Sequence, residues 1–168
     1  YVVIKKKLSR EVAQKIDNLG ILGIGTRAES YRTYPQGNFA SQVLGFVNDE
    51  GEGKYGIEQA LDNKLSGKPG QLKAITDANG VPLVANEDNV IVNPEMGDRV
   101  VLSLDISMQQ QLETILKNGL QKAQSKSGGA MIMDPYTGKI KAMANYPSYD
   151  PSKFSKVKDV SIFNNQLV

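Results

Sequence analysis

The chain has 168 residues, of which 40% are apolar and 23% charged, with 20 lysines and arginines against 18 aspartates and glutamates. Near-balanced charge in an ordinary globular composition excludes a strongly basic nucleic-acid binder and a wholly disordered chain. Cysteine and histidine are both absent, which removes the usual zinc sites and the Cys-His and Ser-His-Asp nucleophile systems. No run of about 18 apolar residues is present to span a bilayer. Tyr1-Val2-Val3-Ile4 runs straight into Lys5-Lys6-Lys7, so no signal peptide is expected at the start.

The first predicted element is a short helix. Ser9 is its N-cap, Glu11 suits the first turn, Val12, Ile16 and Leu19 recur at helical spacing, and Gly20 stops it. Residues 24–34 are rich in Thr, Tyr and Ala and read as extended; Pro35-Gln36-Gly37-Asn38 then turns the chain. A second helix is expected over 40–47. A third opens at Gly56-Ile57-Glu58, with Ile57, Ala60, Leu61 and Leu65 on one face and Gly67 past its end. The middle reads as β: residues 71–76 and 81–84 flank Asp77-Ala78-Asn79-Gly80, with Val90-Ile91-Val92 as an extension and 99–104 as a further strand. Asp105 caps a long helix whose apolar stripe is Met108, Leu112, Ile115, Leu116 and Leu120, and Lys126-Ser127-Gly128-Gly129 breaks it. Residues 130–134 and 139–144 then form a hairpin across Pro135-Tyr136-Thr137-Gly138. The fold class expected is α+β, with a boundary between residues 96 and 103.

Two short patterns look catalytic and are not expected to be. Ser155-Lys156-Val157-Lys158 fits S-x-x-K and Lys126-Ser127-Gly128 fits K-[ST]-G, the parts of a lysine-activated serine acyltransferase. Their order is reversed, no S-x-N stands between them, and no apolar helical face follows Ser155. The acidic residues are scattered singly, with Asp49-Glu50 and Glu87-Asp88 in expected loops, and no phosphate-binding glycine loop is present. The Tyr146-Pro147-Ser148-Tyr149 segment offers rings to a sugar, with packing of the loop as the simpler role.

A different set of residues, in one order over nearly the whole chain, resembles the class B penicillin-binding proteins. Arg32-Thr33-Tyr34-Pro35-Gln36-Gly37 is similar to their R-x-Y-P-x-G box, and Gln42 to Val47 to the segment after it. Gly53-Lys54-Tyr55-Gly56-Ile57-Glu58, with Leu65-Ser66-Gly67-Lys68-Pro69-Gly70 behind, resembles the G-x-x-G-l-E box and its tail. Leu102-Ser103-Leu104-Asp105 with Gln109 resembles the opening of the transpeptidase domain. Asp134 to Ala144 resembles its first hairpin, and Tyr146 to Pro151 the loop that follows. Ser103 departs from the usual threonine, Lys141 from a neutral residue, and Asn165-Gln166 from Asn-Arg.

The resemblance implies a non-catalytic pedestal, or dimerisation, domain over 1–97 and the first part of a transpeptidase domain over 98–168, ending before the S-x-x-K serine. The intact parent would cross-link peptidoglycan stem peptides and be acylated by β-lactams, outside the cytoplasmic membrane and anchored by a preceding helix. No catalytic residue, metal or cofactor is implied for these residues. Implied partners are a SEDS-type glycan polymerase and other cell-wall assembly proteins, with self-association and no nucleic acid. A β-lactam sensor or a low-affinity resistance protein sharing the pedestal is the alternative, and an elongation or a division role stays open. The structural and interdomain residues implied are Arg32, Tyr34, Pro35, Gly37, Gly53, Gly56, Glu58, Asp105, Gln109, Asp134 and Gly138. Arg32 and Glu58 are the expected ion pair, joining an extended segment to a helix start. An unpaired hairpin edge is expected to cause self-association or to leave the chain after Tyr149 loosely held.

Overall fold

In the computed structural model, residues 2–27, 29–73 and 90–168 are described. They divide into a small unit, Tyr1–Tyr31, and a larger one, Arg32–Val168. The expected turn at Asp77 to Gly80 and the strand at 81–84 lie outside the described residues.

The small unit is built on α1 (Arg10–Asn18). The Ser9 hydroxyl accepts the Val12 N–H at 3.4 Å, the expected cap, and Gly20 takes a positive φ of 60° just past the end. Asp17 then holds the returning chain, accepting the Thr26 N–H at 3.1 Å and its hydroxyl at 2.6 Å. The expected extended segment at 24–34 forms no strand among its described residues. At its start the Ile24 N–H reaches Ile21 O at 3.1 Å, beside the Asp17 clasp on Thr26.

The larger unit begins with short elements. The predicted second helix is confined to α2 (Ser41–Leu44), because Gly45 turns the chain sharply and Phe46–Val47 become β1, paired antiparallel with β2 (Gly53–Lys54). The predicted third helix is two, α3 (Gly56–Ala60) and α4 (Asp62–Leu65), interrupted at Leu61 with φ −118° and ψ 19°. The strand β3 (Gln71–Lys73) pairs antiparallel with β4 (Val90–Val92). The strand expected at 99–104 is not one. Those residues run past β6 (Ile140–Tyr146) as single anchors, the Ser103 hydroxyl donating to Ile140 O at 2.7 Å and the Asp105 N–H to Lys141 O at 2.8 Å.

Helix α5 (Ile106–Lys122) starts where expected, its Asp105 carboxylate accepting the Met108 N–H at 2.9 Å. It stops short of the glycines, because Gln124 adopts φ 52° and Ser125 N–H reaches back to Leu120 O at 2.9 Å. A non-glycine residue there carries a steric penalty. Gln124→Gly is therefore expected to raise stability by about 1 kcal/mol, read as a rise of a few degrees in Tm. An unchanged Tm would mean that Gln124 leaves the left-handed region at no cost.

The strand β5 (Gly128–Met133) pairs with β6 in the expected hairpin, Ala130 opposite Ala144 and Met131 opposite Met143, with a bulge between Ile132 and Met133. Ala142 to Asn145 are consecutively buried, the mark of a strand covered on both faces. The stripe of α5 is only partly used: Met108 is 44% and Ile115 67% exposed. The chain then continues past Tyr149. Two 310 turns, Pro151–Lys156 and Val160–Phe163, return it to the core. That core is aromatic: Phe46, Tyr149 and Phe163 are buried, with Tyr34, Tyr55 and Phe154 against them. The Phe46 and Phe154 rings stack at 4.5 Å, and Tyr149 meets Phe163 edge-on at 4.8 Å.

Candidate functional site

Around this core the two glycine-containing boxes meet. Arg32 Nε lies 2.6 Å from Glu58 Oε1, in the first turn of α3. The Glu58 side chain is 6% exposed and that of Arg32 49%, so the carboxylate is the desolvated partner. Tyr34 accepts the Val47 N–H at 2.9 Å. Burial, and then the neighbouring Glu58 charge, push its phenol up to about 12. Pro35 opens the turn, and the Gly37 N–H closes it on Tyr34 O at 3.0 Å. The Gly53 N–H donates to Asp62 Oδ1 at 2.9 Å. Gly56 has φ 47°, and a Cβ there would overlap the carbonyl oxygen of Val43. Just before it, Tyr55 holds φ 61° and ψ 163°. A side chain rarely adopts this backbone unless its surroundings impose it. Here the ring is wedged 5.8 Å from Phe46 and 5.2 Å from Phe163.

Asp105 and Gln109 lie at the start of α5. Gln109 is fully buried. Its amide behaves as a strand neighbour of Met143, accepting the backbone N–H at 2.7 Å and donating to the carbonyl at 2.8 Å. Asp134 and Gly138 form the tip of the hairpin. The carboxylate takes the Tyr136 N–H at 2.9 Å and the Thr137 hydroxyl at 2.7 Å, and Gly138 has φ 68°. The Thr137 hydroxyl first, then the Tyr136 N–H, hold the Asp134 carboxyl below the usual carboxylate range.

The residues that sequence reasoning missed lie between these groups. Tyr149 donates its phenol hydrogen to Ser41 O at 3.0 Å, and its N–H reaches the Ser41 hydroxyl at 3.3 Å. Burial pushes the Tyr149 phenol above its ordinary value. Gln42 donates to Pro147 O at 2.8 Å and to Ile162 O at 3.1 Å. Asn38 reaches the Ser148 hydroxyl at 3.0 Å. The rings of the 146–149 segment are thus committed at Tyr149 to packing. The one available signal was the pair Ser41-Gln42, polar residues heading an apolar segment.

Ser155 is exposed, within the first 310 turn. That turn is kinked at Lys153 and gives way to extended backbone at Val157, so no helical turn brings Lys158 back onto the hydroxyl. Ser127 lies just before β5, its carbonyl accepting from the Ser125 hydroxyl at 3.0 Å. An open depression of about 540 Å³ is lined by Gln42, Tyr55, Met143 and Asn165, among others, and by neither serine. Among the described residues no acidic cluster could hold a metal ion, and no helix is long and apolar enough to cross a membrane.

Residues 1–102 match the penicillin-binding protein dimerisation domain, and the chain belongs to that family. Over its full length it is 32% identical to the peptidoglycan D,D-transpeptidase FtsI of Buchnera aphidicola subsp. Baizongia pistaciae, and it covers 29% of that protein. It resembles the solved peptidoglycan synthetase of Bifidobacterium adolescentis with a TM-score of 0.67 and 30% identity, over 89% of this chain and 28% of that one. A structure of penicillin-binding protein 3 of Mycobacterium tuberculosis complexed with aztreonam matches with a TM-score of 0.57 and 28% identity, over 74% of this chain and 24% of that one. The α+β fold is that of these proteins. The chain thus spans less than a third of the curated relatives' length.

Proposed function

We propose that these residues are the pedestal and the opening segment of a peptidoglycan D,D-transpeptidase, dividing at 97/98, and that they position and connect rather than catalyse. The observation that carries this reading is the joint. The two boxes, paired through Arg32 and Glu58, enclose the aromatic core that Tyr149, Phe154 and Phe163 complete from the far side of the proposed boundary. Such a surface, packed like a protein interior, fixes one module rigidly on another. On this reading Arg32, Tyr34, Pro35, Gly37, Gly53, Gly56, Glu58, Asp105 and Gln109 hold the joint, and Asp134 and Gly138 shape the hairpin tip.

In the longer protein a serine beyond these residues attacks the penultimate D-Ala carbonyl, D-Ala leaves, and a neighbouring stem-peptide amine takes the acyl group. β-Lactams acylate the same serine. The pedestal then offers its outer surface to cell-wall assembly proteins, a SEDS-type glycan polymerase among them, on the extracytoplasmic face of the membrane. The exposure of Ser155 and its separation from Lys158 support the non-catalytic assignment.

A fluorescent penicillin tests it. The 168-residue chain is expected to carry no covalent label on a denaturing gel. Stoichiometric labelling at Ser155 or Ser127 would sink the proposal, since it would place an activated nucleophile within these residues.

A further inference from the structure

Glu113 stands out by no spacing in the sequence, yet one of its oxygens gathers three parts of the chain. Oε1 accepts the Ala40 N–H at 2.8 Å and the Gln109 side-chain amide at 2.8 Å. Gln109 in turn holds both backbone groups of Met143. Gln109 and Glu113 are four apart in α5 and so share one face. None of the ion pairs among the described residues includes Glu113. Its role is that of an acceptor, and reach matters more than charge.

Ala40 explains why an acceptor is needed there. It is 4% exposed and holds a left-handed backbone of φ 48° and ψ 32° at the head of α2. An alanine adopts that conformation only against a steric penalty. Its carbonyl starts the helix, accepting from Val43 at 3.0 Å and Leu44 at 2.9 Å. Its N–H, preceding the first turn, finds no partner within α2. A buried N–H left without an acceptor is costly, so the Glu113 oxygen holds Ala40 in a conformation it would otherwise leave. Ala40 then aims α2, and α2 carries Ser41 and Gln42 to Tyr149, Pro147 and Ile162.

We propose that Glu113 is a positioning residue that fastens the turn after the R-x-Y-P-x-G box to the opening helix and inner strand of the second module. The proposal rests on the division at 97/98 put forward above. Amide hydrogen exchange followed by NMR on the 168-residue chain tests it, comparing wild type with E113Q, E113D and E113A. In E113Q the amide oxygen occupies the same place, and the Ala40 N–H is expected to stay within about tenfold of wild-type protection. In E113D the charge is kept but the carboxylate falls one methylene short, and Ala40 should exchange at least about tenfold faster, as in E113A. The Tyr149 N–H should follow Ala40, while Met143, still held by Gln109 Oε1, should change least. Should E113A fail to fold, E113Q against E113D still decides.

Equal Ala40 protection in wild type and E113D would overturn the role of Glu113, as would loss in E113Q matching that in E113D. The division of the chain is read separately. Two exchange classes on the two sides of residue 97 support it, whereas a single class throughout 32–168 would overturn it, and with it the claim that Glu113 joins two modules.

Discussion

Gly45→Ala is expected to destabilise the protein by about 4 kcal/mol. Gly45 has φ 79° and ψ −158°, a region open to glycine alone. Its obstruction is also backbone: a Cβ would overlap the Tyr55 carbonyl oxygen and stand 2.6 Å from Lys54 O and 2.7 Å from Tyr55 C. Side chains can swing away, but β2 and the entry to α3 cannot move without pulling Phe46 and Tyr55 out of the aromatic core. A fall of about 10 °C or more in Tm is the expected reading in a thermal melt. A loss below about 1 kcal/mol would mean that α2 and β1 separate freely and that the close approach contributes little.

Breaking the Arg32–Glu58 pair should give unequal losses according to which partner goes. Arg32→Ala leaves a carboxylate with 6% exposure unpaired and is expected to cost about 3 kcal/mol. Glu58→Ala leaves a guanidinium that is 49% exposed and free to hydrate, at a cost of about 1–2 kcal/mol. Urea unfolding of both single variants and the double variant should give a coupling of about 2 kcal/mol. Tyr34 supplies an independent reading. Its phenol is raised to about 12 in part by the Glu58 charge, so Glu58→Gln should lower it in a spectrophotometric titration. A coupling near zero, with Tyr34 unmoved, would show that the pair is a surface contact in all but geometry.

What was legible in the sequence were the features that local chemistry fixes. Ser9 and Asp105 cap their helices because a short acceptor before a periodic apolar run has few other uses. The hairpin across Asp134 to Gly138 follows from turn residues between two apolar runs. The Arg32–Glu58 pair was legible through the family boxes, not from periodicity. The helix read over 40–47 failed at Gly45, since Val43, Leu44, Phe46 and Val47 offer apolar faces to a helix or a strand alike. One glycine that takes a backbone closed to other residues decided between them. The third helix divides at Leu61, whose φ of −118° and ψ of 19° break the run and whose carbonyl starts the next helix by accepting from Lys64 and Leu65. Gln109 was marked by resemblance, but its pairing with Met143 and the part of Glu113 were not readable, because a buried polar residue on a helix looks the same in sequence as a solvated one. The aromatic core was the largest omission. Phe46, Tyr149, Phe154 and Phe163 sit in short or irregular elements, where no period announces burial.

That core also bears on the order in which the molecule comes together. Ser41 and Tyr149 are 108 positions apart, and Gln42 and Ile162 are 120. Closing a loop of that length costs about 4 kcal/mol of chain entropy before any ring contact repays it. Helix α5 and the hairpin beside it assemble from near neighbours, on the timescale of helix and hairpin formation. The rings can meet only after the chain between them has been gathered in, so closure of the ring cluster is expected to be a late, non-local step and the slower part of folding. The chain has no tryptophan. Its intrinsic emission comes from seven tyrosines, and Tyr34, Tyr55 and Tyr149, in or against the ring cluster, are the ones whose signal in a refolding trace reports its closure.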